Sequence, residues 1–111
     1  MSEPTPIAVP EALRPLVEHA PGTLEALRTM RIELEALSGL DERSIELVRM
    51  GAAVAQGAPR ATHVAHVRRA LAIGMTVDEI WGAVMAVAPL VGVPALLEAI
   101  PSIAVGLEES E

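Results

Sequence analysis

The chain has no cysteine, no lysine, no phenylalanine and no tyrosine among its 111 residues, and only one tryptophan. Without cysteine there is no disulfide framework, no thiolate metal site and no dithiol redox chemistry carried by this chain. Without lysine the basic residues are all arginines, scattered at positions 14, 28, 31, 43, 49, 60, 68 and 69 with no polybasic patch, and the net charge is −7. This argues against nucleic acid as a partner, because counterion release from phosphates needs clustered cations. Arginine does suit two-point recognition of a carboxylate, so a small acidic ligand stays open.

The shortage of aromatics shapes the core. Apolar residues make up 51% of the chain, but they are mostly Ala, Val, Leu and Ile. Small side chains let helices approach closely and make thin cores, so a lone protomer would leave apolar surface to be covered by oligomerisation. A chain of this length is expected to form one domain, burying roughly two-thirds of its unfolded surface. The uncharged run from Ile80 to Leu97 is marginal against the about 20 residues needed to span a bilayer. Gly82, Pro89, Gly92 and Pro94 interrupt it, so two buried amphipathic helices account for it better than a membrane span. The start, MSEPTPIAVP, lacks a basic region followed by an apolar one. No signal peptide is evident and a cytoplasmic location is expected.

What is present is helical periodicity. Residues 1–9 carry Pro4 and Pro6 and are expected to form a flexible arm, with one helical domain over 10–111. A short first helix runs from Pro10 to His19, weakened by Pro15. Thr23 is the expected N-cap of a second helix ending near Gly39. Asp41 caps a third, whose second half, MGAAVAQ, is apolar nearly all round and should be buried in the core or at a subunit contact. Pro59 suits the first turn of a fourth helix, which Gly74 stops in a left-handed conformation. Thr76 and Glu79 form a capping box that opens a fifth helix, interrupted near Pro89. A sixth starts near Pro94. No stretch alternates as a strand does, and the pattern predicts an all-α bundle of about six helices.

On the fourth helix His63, Val64, His66, Val67, Ala70, Leu71 and Ile73 share one arc, so both histidines point into apolar surroundings. Arg68 and Arg69 fall on the other side as solvent or interface charges. The ordered set Glu46, Gly57, His66, Gly74, Thr76, Glu79, Ile80, Gly92 and Pro94 resembles the carboxymuconolactone decarboxylase and alkylhydroperoxidase D-like superfamily over most of residues 24–107. Its peroxidase-type members carry a C-x-x-C pair, and the matching positions here are Pro59 and Thr62. The slot of the family glutamate falls on Leu47, one residue from Glu46. The resemblance therefore points to the cysteine-free decarboxylase branch. It implies a small all-helical protein, free of cofactors and assembled as trimers or hexamers.

Decarboxylation beside a lactone or carbonyl leaves an enolate-like carbanion that must be stabilised and protonated. An imidazole titrates in the right range without large tuning, and a positioned acid or base is worth about 10² to 10⁴ in rate. His66 is the candidate acid/base, and Glu46 could orient the imidazole. Arg49 or Arg60 could hold a substrate carboxylate. Each has a plainer alternative: His66 as a core imidazole bonded to a carbonyl, His63 as packing or a subunit contact rather than a second catalytic group, Glu46 as a solvated residue paired with Arg49. Trp81 and Met85, at i and i+4, line either the core or a pocket wall. His63 and His66 could share a metal only with a third ligand, and none is recognised, so no metal is expected. Two classes follow: a cofactor-free lyase or isomerase acting on a small carboxylated lactone or related enolisable acid, or a non-catalytic binding or assembly protein on the same scaffold.

Overall fold

The computed structural model describes residues 8–110. Among these, six helices follow in order: α1 (Ala8–His19), α2 (Thr23–Ser38), α3 (Glu42–Gln56), α4 (Arg60–Ala72), α5 (Val77–Val91) and α6 (Val93–Glu109), with no strand. Of the expected arm, residues 1–7 lie outside the described residues, and Ala8 and Val9 already belong to α1. The helices group into two compact units, one holding α1 and α2, the other running from Asp41 onwards.

In the first unit α2 buries none of its residues. Leu24, Leu27, Met30, Ile32, Leu34 and Leu37 all stay exposed. Thr23 is not the N-cap: that position is Gly22, and the Thr23 hydroxyl instead donates to the Ala20 carbonyl at 2.7 Å. The backward-facing bond is within the reach of a hydroxyl one residue further into the helix.

The second unit holds the hydrophobic core. Asp41 Oδ1 accepts from the Ser44 amide at 2.7 Å, fixing the start of α3. Gly57 ends it at φ +66°, satisfying carbonyls of the last turn through its own amide. At the start of α5 the Thr76 hydroxyl accepts from the Glu79 amide and Glu79 accepts from the Thr76 amide, both at about 3 Å. Arg43 of α3 also pairs with Glu79. Pro89 does not interrupt α5, which continues to Val91, and Gly92 at φ +81° separates it from α6. A proline removes one hydrogen bond, whereas a positive φ, open to glycine, takes the backbone out of the helix altogether; here the second effect sets the boundary.

Val54, Val67, Ile80 and Ile103, one from each of α3, α4, α5 and α6, are the largest fully buried side chains among the described residues. Each contributes about 1.5–3 kcal/mol by leaving water. The pairing of α4 with α6 is the most extensive. It depends on Gly106, where an added Cβ would lie 3.1 Å from Val67 Cβ and 3.3 Å from Val64 Cα. The apolar second half of α3 is only partly buried. Met50, Ala53 and Val54 enter the core, while Ala52 and Ala55 stay exposed. No helix among the described residues is long and apolar enough to cross a membrane.

Candidate functional site

Helices α3 and α4, joined by the short connection Gly57–Pro59, carry the polar groups that meet inside the second unit. Glu46 is only 3% exposed. A buried carboxylate needs partners, since an unpaired charge in an apolar setting would be neutralised. Glu46 has three. Its Oε1 lies 3.4 Å from His66 Nδ1, and its Oε2 lies 3.7 Å from an Arg49 terminal nitrogen and 3.6 Å from one of Arg69. Burial by itself would raise the Glu46 pKa. The hydrogen bond and charge of His66, with the charges of Arg69 and Arg49, outweigh it and hold the group below its ordinary value of 4.5.

An ionised carboxylate only accepts, so the hydrogen shared between Glu46 in that form and His66 is donated from Nδ1 of the ring, and Nε2 is left on the far side of it. The His66 side chain is 20% exposed, neither in bulk solvent nor sealed off.

His63, a turn earlier on α4, is 2% exposed, and its Nε2 is buried without a hydrogen-bond partner among the described residues. Burial first, and then the charge of His66, lower its pKa from 6.5, against an opposing pull from Glu98. Arg60 is engaged elsewhere: its Nε donates to Ser102 Oγ on α6 at 3.5 Å, and that hydroxyl donates to the Glu98 carbonyl at 3.2 Å. Trp81 is half-buried against the core, while Met85 is 68% exposed. An apolar groove of about 630 Å³ runs between α3 and α5, with Leu47, Gly51, Gly82 and Val87 in its walls. Neither histidine, nor Arg49, nor Arg60, lines it. Among the described residues no group of three or more His, Asp or Glu side chains is placed to hold a metal ion.

Glu46, His66 and Arg49 are thus brought together, Arg60 at the start of α4 is tied instead to Ser102 of α6, and Arg69 joins the cluster although its position on α4 suggests a solvent-facing charge. Its spacing of i+3 from His66 was the available signal, because a long arginine arm at the edge of an apolar arc can reach back across it. Arg68, by contrast, pairs with Glu109 at 3.1 Å on the surface.

With this geometry in place, the sequence pattern of the Carboxymuconolactone decarboxylase family matches residues 21–103. The chain belongs to that family. The match begins just before α2, runs through α3, α4 and α5, and ends within α6, so it includes Glu46, His63, His66 and Arg69. Comparison with curated proteins and with solved structures returned no match. The family scaffold is all-helical, and with no cysteine in the chain a thiol peroxidase cycle has no nucleophile here.

Proposed function

We propose that the protein is a cofactor-free lyase, or isomerase, acting on a small carboxylated lactone or related enolisable acid, with His66 as general acid/base. The observation that carries this reading is the contact of His66 Nδ1 with the buried, ionised Glu46. It holds the ring in one tautomer and orients Nε2, as a positioned acid/base requires. Loss of carbon dioxide breaks a carbon–carbon bond and leaves its electron pair on the substrate as an enolate. His66 Nε2 delivers a proton to that carbon and is reprotonated from solvent. Arg49, beside Glu46, holds a substrate carboxylate or the enolate oxygen; Arg60 and the half-buried Trp81, with Met85, border the ligand from outside this cluster. His63 acts as a second group behind His66. The helices over 10–111 act together as one domain in the cytoplasm.

The thin core and the exposed apolar residues of α2 support a homo-oligomer, a trimer or hexamer. They equally support the second reading, a binding or assembly protein that uses the scaffold without turnover. Replacement of His66 by alanine separates the two. The enzyme reading expects turnover of a responsive carboxylated lactone to fall by about 10²-fold or more. Unchanged turnover removes His66 as the acid, and intact ligand affinity with no turnover in either form favours the binder.

A further inference from the structure

Two apolar surfaces among the described residues stay open to solvent in the single chain. The first is the groove of about 630 Å³ between α3 and α5. Arg43 meets Glu79, and eight residues further along each helix Gly51 faces Val87, so the two walls run side by side in one direction. Small residues such as Gly51, Ala52, Gly82 and Ala86 line it, with Val48 and Leu90 standing exposed among them, Leu90 to 84%. Gly82 sits in mid-helix, where glycine weakens a helix relative to alanine. Nothing lies within 4 Å of where its Cβ would stand, so packing inside the chain does not call for a glycine there, whereas close approach by a helix from outside does. The second surface is on α2. Leu27, Met30, Leu34 and Leu37 recur at spacings of three, four and three residues and form one exposed ridge, Leu37 to 82%. Ile32, also exposed, points to the opposite side of that helix.

We infer that α2 of one copy of this chain docks into the α3/α5 groove of a second copy, with Leu27, Met30, Leu34 and Leu37 entering between the two walls. The proposal rests on the homo-oligomer reading above and deepens it by naming the surfaces that meet. Their lengths agree. At 1.5 Å per residue the ridge from Leu27 to Leu37 is about 15 Å long, and the walls from Leu47 to Ala55 and from Glu79 to Leu90 are about 12 and 17 Å. Their charges agree as well, since the centre of a stable interface is depleted of ionised groups. The ridge has none, and Glu79, the one ionisable group lining the groove, is already held by Arg43 and the Thr76 amide. The area selects ridge on groove over ridge on ridge. A helix of 16 residues is about 24 Å long and about 10 Å across, so laid half-way into a groove it covers roughly 400 Å² of each surface. Each copy both gives a helix and receives one, so each chain buries roughly 800 Å², the share of one partner in a standard stable interface. Two ridges packed on each other would bury about half of that and leave the groove open.

The test reads the size of the full chain at micromolar concentration by light scattering. The wild type is expected to assemble. Leu34→Arg in the ridge and Ala86→Arg in the groove should each fall to the mass of one chain, 11.6 kDa, while Ile32→Arg, on the far side of α2, should assemble as the wild type does. A second measurement does not depend on the arginine variants folding. Because the chain has no cysteine, Leu34→Cys and Ala86→Cys each carry a single thiol, and both keep the rest of the two surfaces. After the two variants are mixed and exchange subunits, a short bismaleimide should join one to the other at least ten-fold more than it joins either to itself. An Ala86→Arg variant that assembles like the wild type overturns the proposal and leaves the homo-oligomer standing. So does Leu34→Cys joining mainly to itself, or Ile32→Arg dissociating as Leu34→Arg does. A wild type with the mass of one chain removes the homo-oligomer reading, and the docking with it.

Discussion

Replacing His63 by leucine removes a buried ring nitrogen that finds no partner among the described residues. An unsatisfied buried polar group costs about 1–3 kcal/mol, so above neutral pH the leucine variant should be as stable as the wild type or more so. The pH dependence is the sharper test. Because burial, and then the charge of His66, hold the His63 pKa below 6.5 in the folded chain, the unfolded chain takes up a proton there first as pH falls. The stability associated with neutral His63 is fully present above the unfolded value. It declines as pH drops through that value and stops declining once the folded group also titrates. The limiting slope is about 1.4 kcal/mol per pH unit. Going from pH 8 to 5.5 therefore removes at most about 1.4 kcal/mol through this residue, a shift of roughly 0.5–1.4 M in a urea midpoint for a slope of about 1–3 kcal/mol per molar. Urea titrations at both pH values, followed by the emission of Trp81, give the two midpoints for each protein. His66 and Glu98, the two groups that act on His63, are retained in the variant, so the difference of differences isolates position 63. A leucine variant whose midpoint moves between pH 8 and 5.5 as far as the wild type does would refute the reasoning.

Three other perturbations bear on the fold and the site. Gly106→Ala should gain about 1 kcal/mol of helix propensity and lose about 1–3 kcal/mol to overpacking. The Val64 backbone at 3.3 Å cannot yield as a flexible side chain would, so thermal denaturation should show a lower midpoint; a higher one would mean that α4 and α6 separate easily. Glu46, held below its ordinary value of 4.5 against its own burial, contributes stability above that pH which is lost as pH falls through its folded pKa. Glu46→Gln should accordingly show a shallower acid limb in unfolding between pH 5 and 3, together with a large fall in turnover. Mass measurement under native conditions should find a homo-oligomer at micromolar concentration, since α2 buries no residue of its own; a stable monomer would contradict the thin-core argument.

The helix boundaries that could be read in advance are those fixed by neighbours in the chain. Asp41 reaches an amide three residues on, Thr76 and Glu79 cap each other, and Gly57 and Gly74 adopt left-handed backbone just past a helix end. The misread points are also local, but they turn on competition. Thr23 had a carbonyl behind it as well as amides ahead, and α5 continues through Pro89 and leaves helical backbone only at Gly92. The site was legible in part. His66 stands out as a polar residue on an apolar arc and Glu46 enters only through the family resemblance, and the structure puts them 3.4 Å apart. Helical periodicity gives angles around one axis and says nothing of which residue on the next helix faces a given side chain. Arg69 could not be assigned to Glu46, nor Arg60 to Ser102, without the packing of α3, α4 and α6.

By itself, the order of residues determined that this chain is helical, where most of its helices begin and end, and that thiol chemistry is closed to it. These follow from periodicity, from caps formed within a few residues, and from the bare absence of sulfhydryls. Tertiary structure alone decided that one glutamate is buried beneath two arginines and an imidazole, and that one histidine nitrogen is left without a partner. Both outcomes depend on how separate helices rotate and settle against each other. That rotation is set by the whole set of buried side chains together, from Val54 to Ile103, and no single segment carries it.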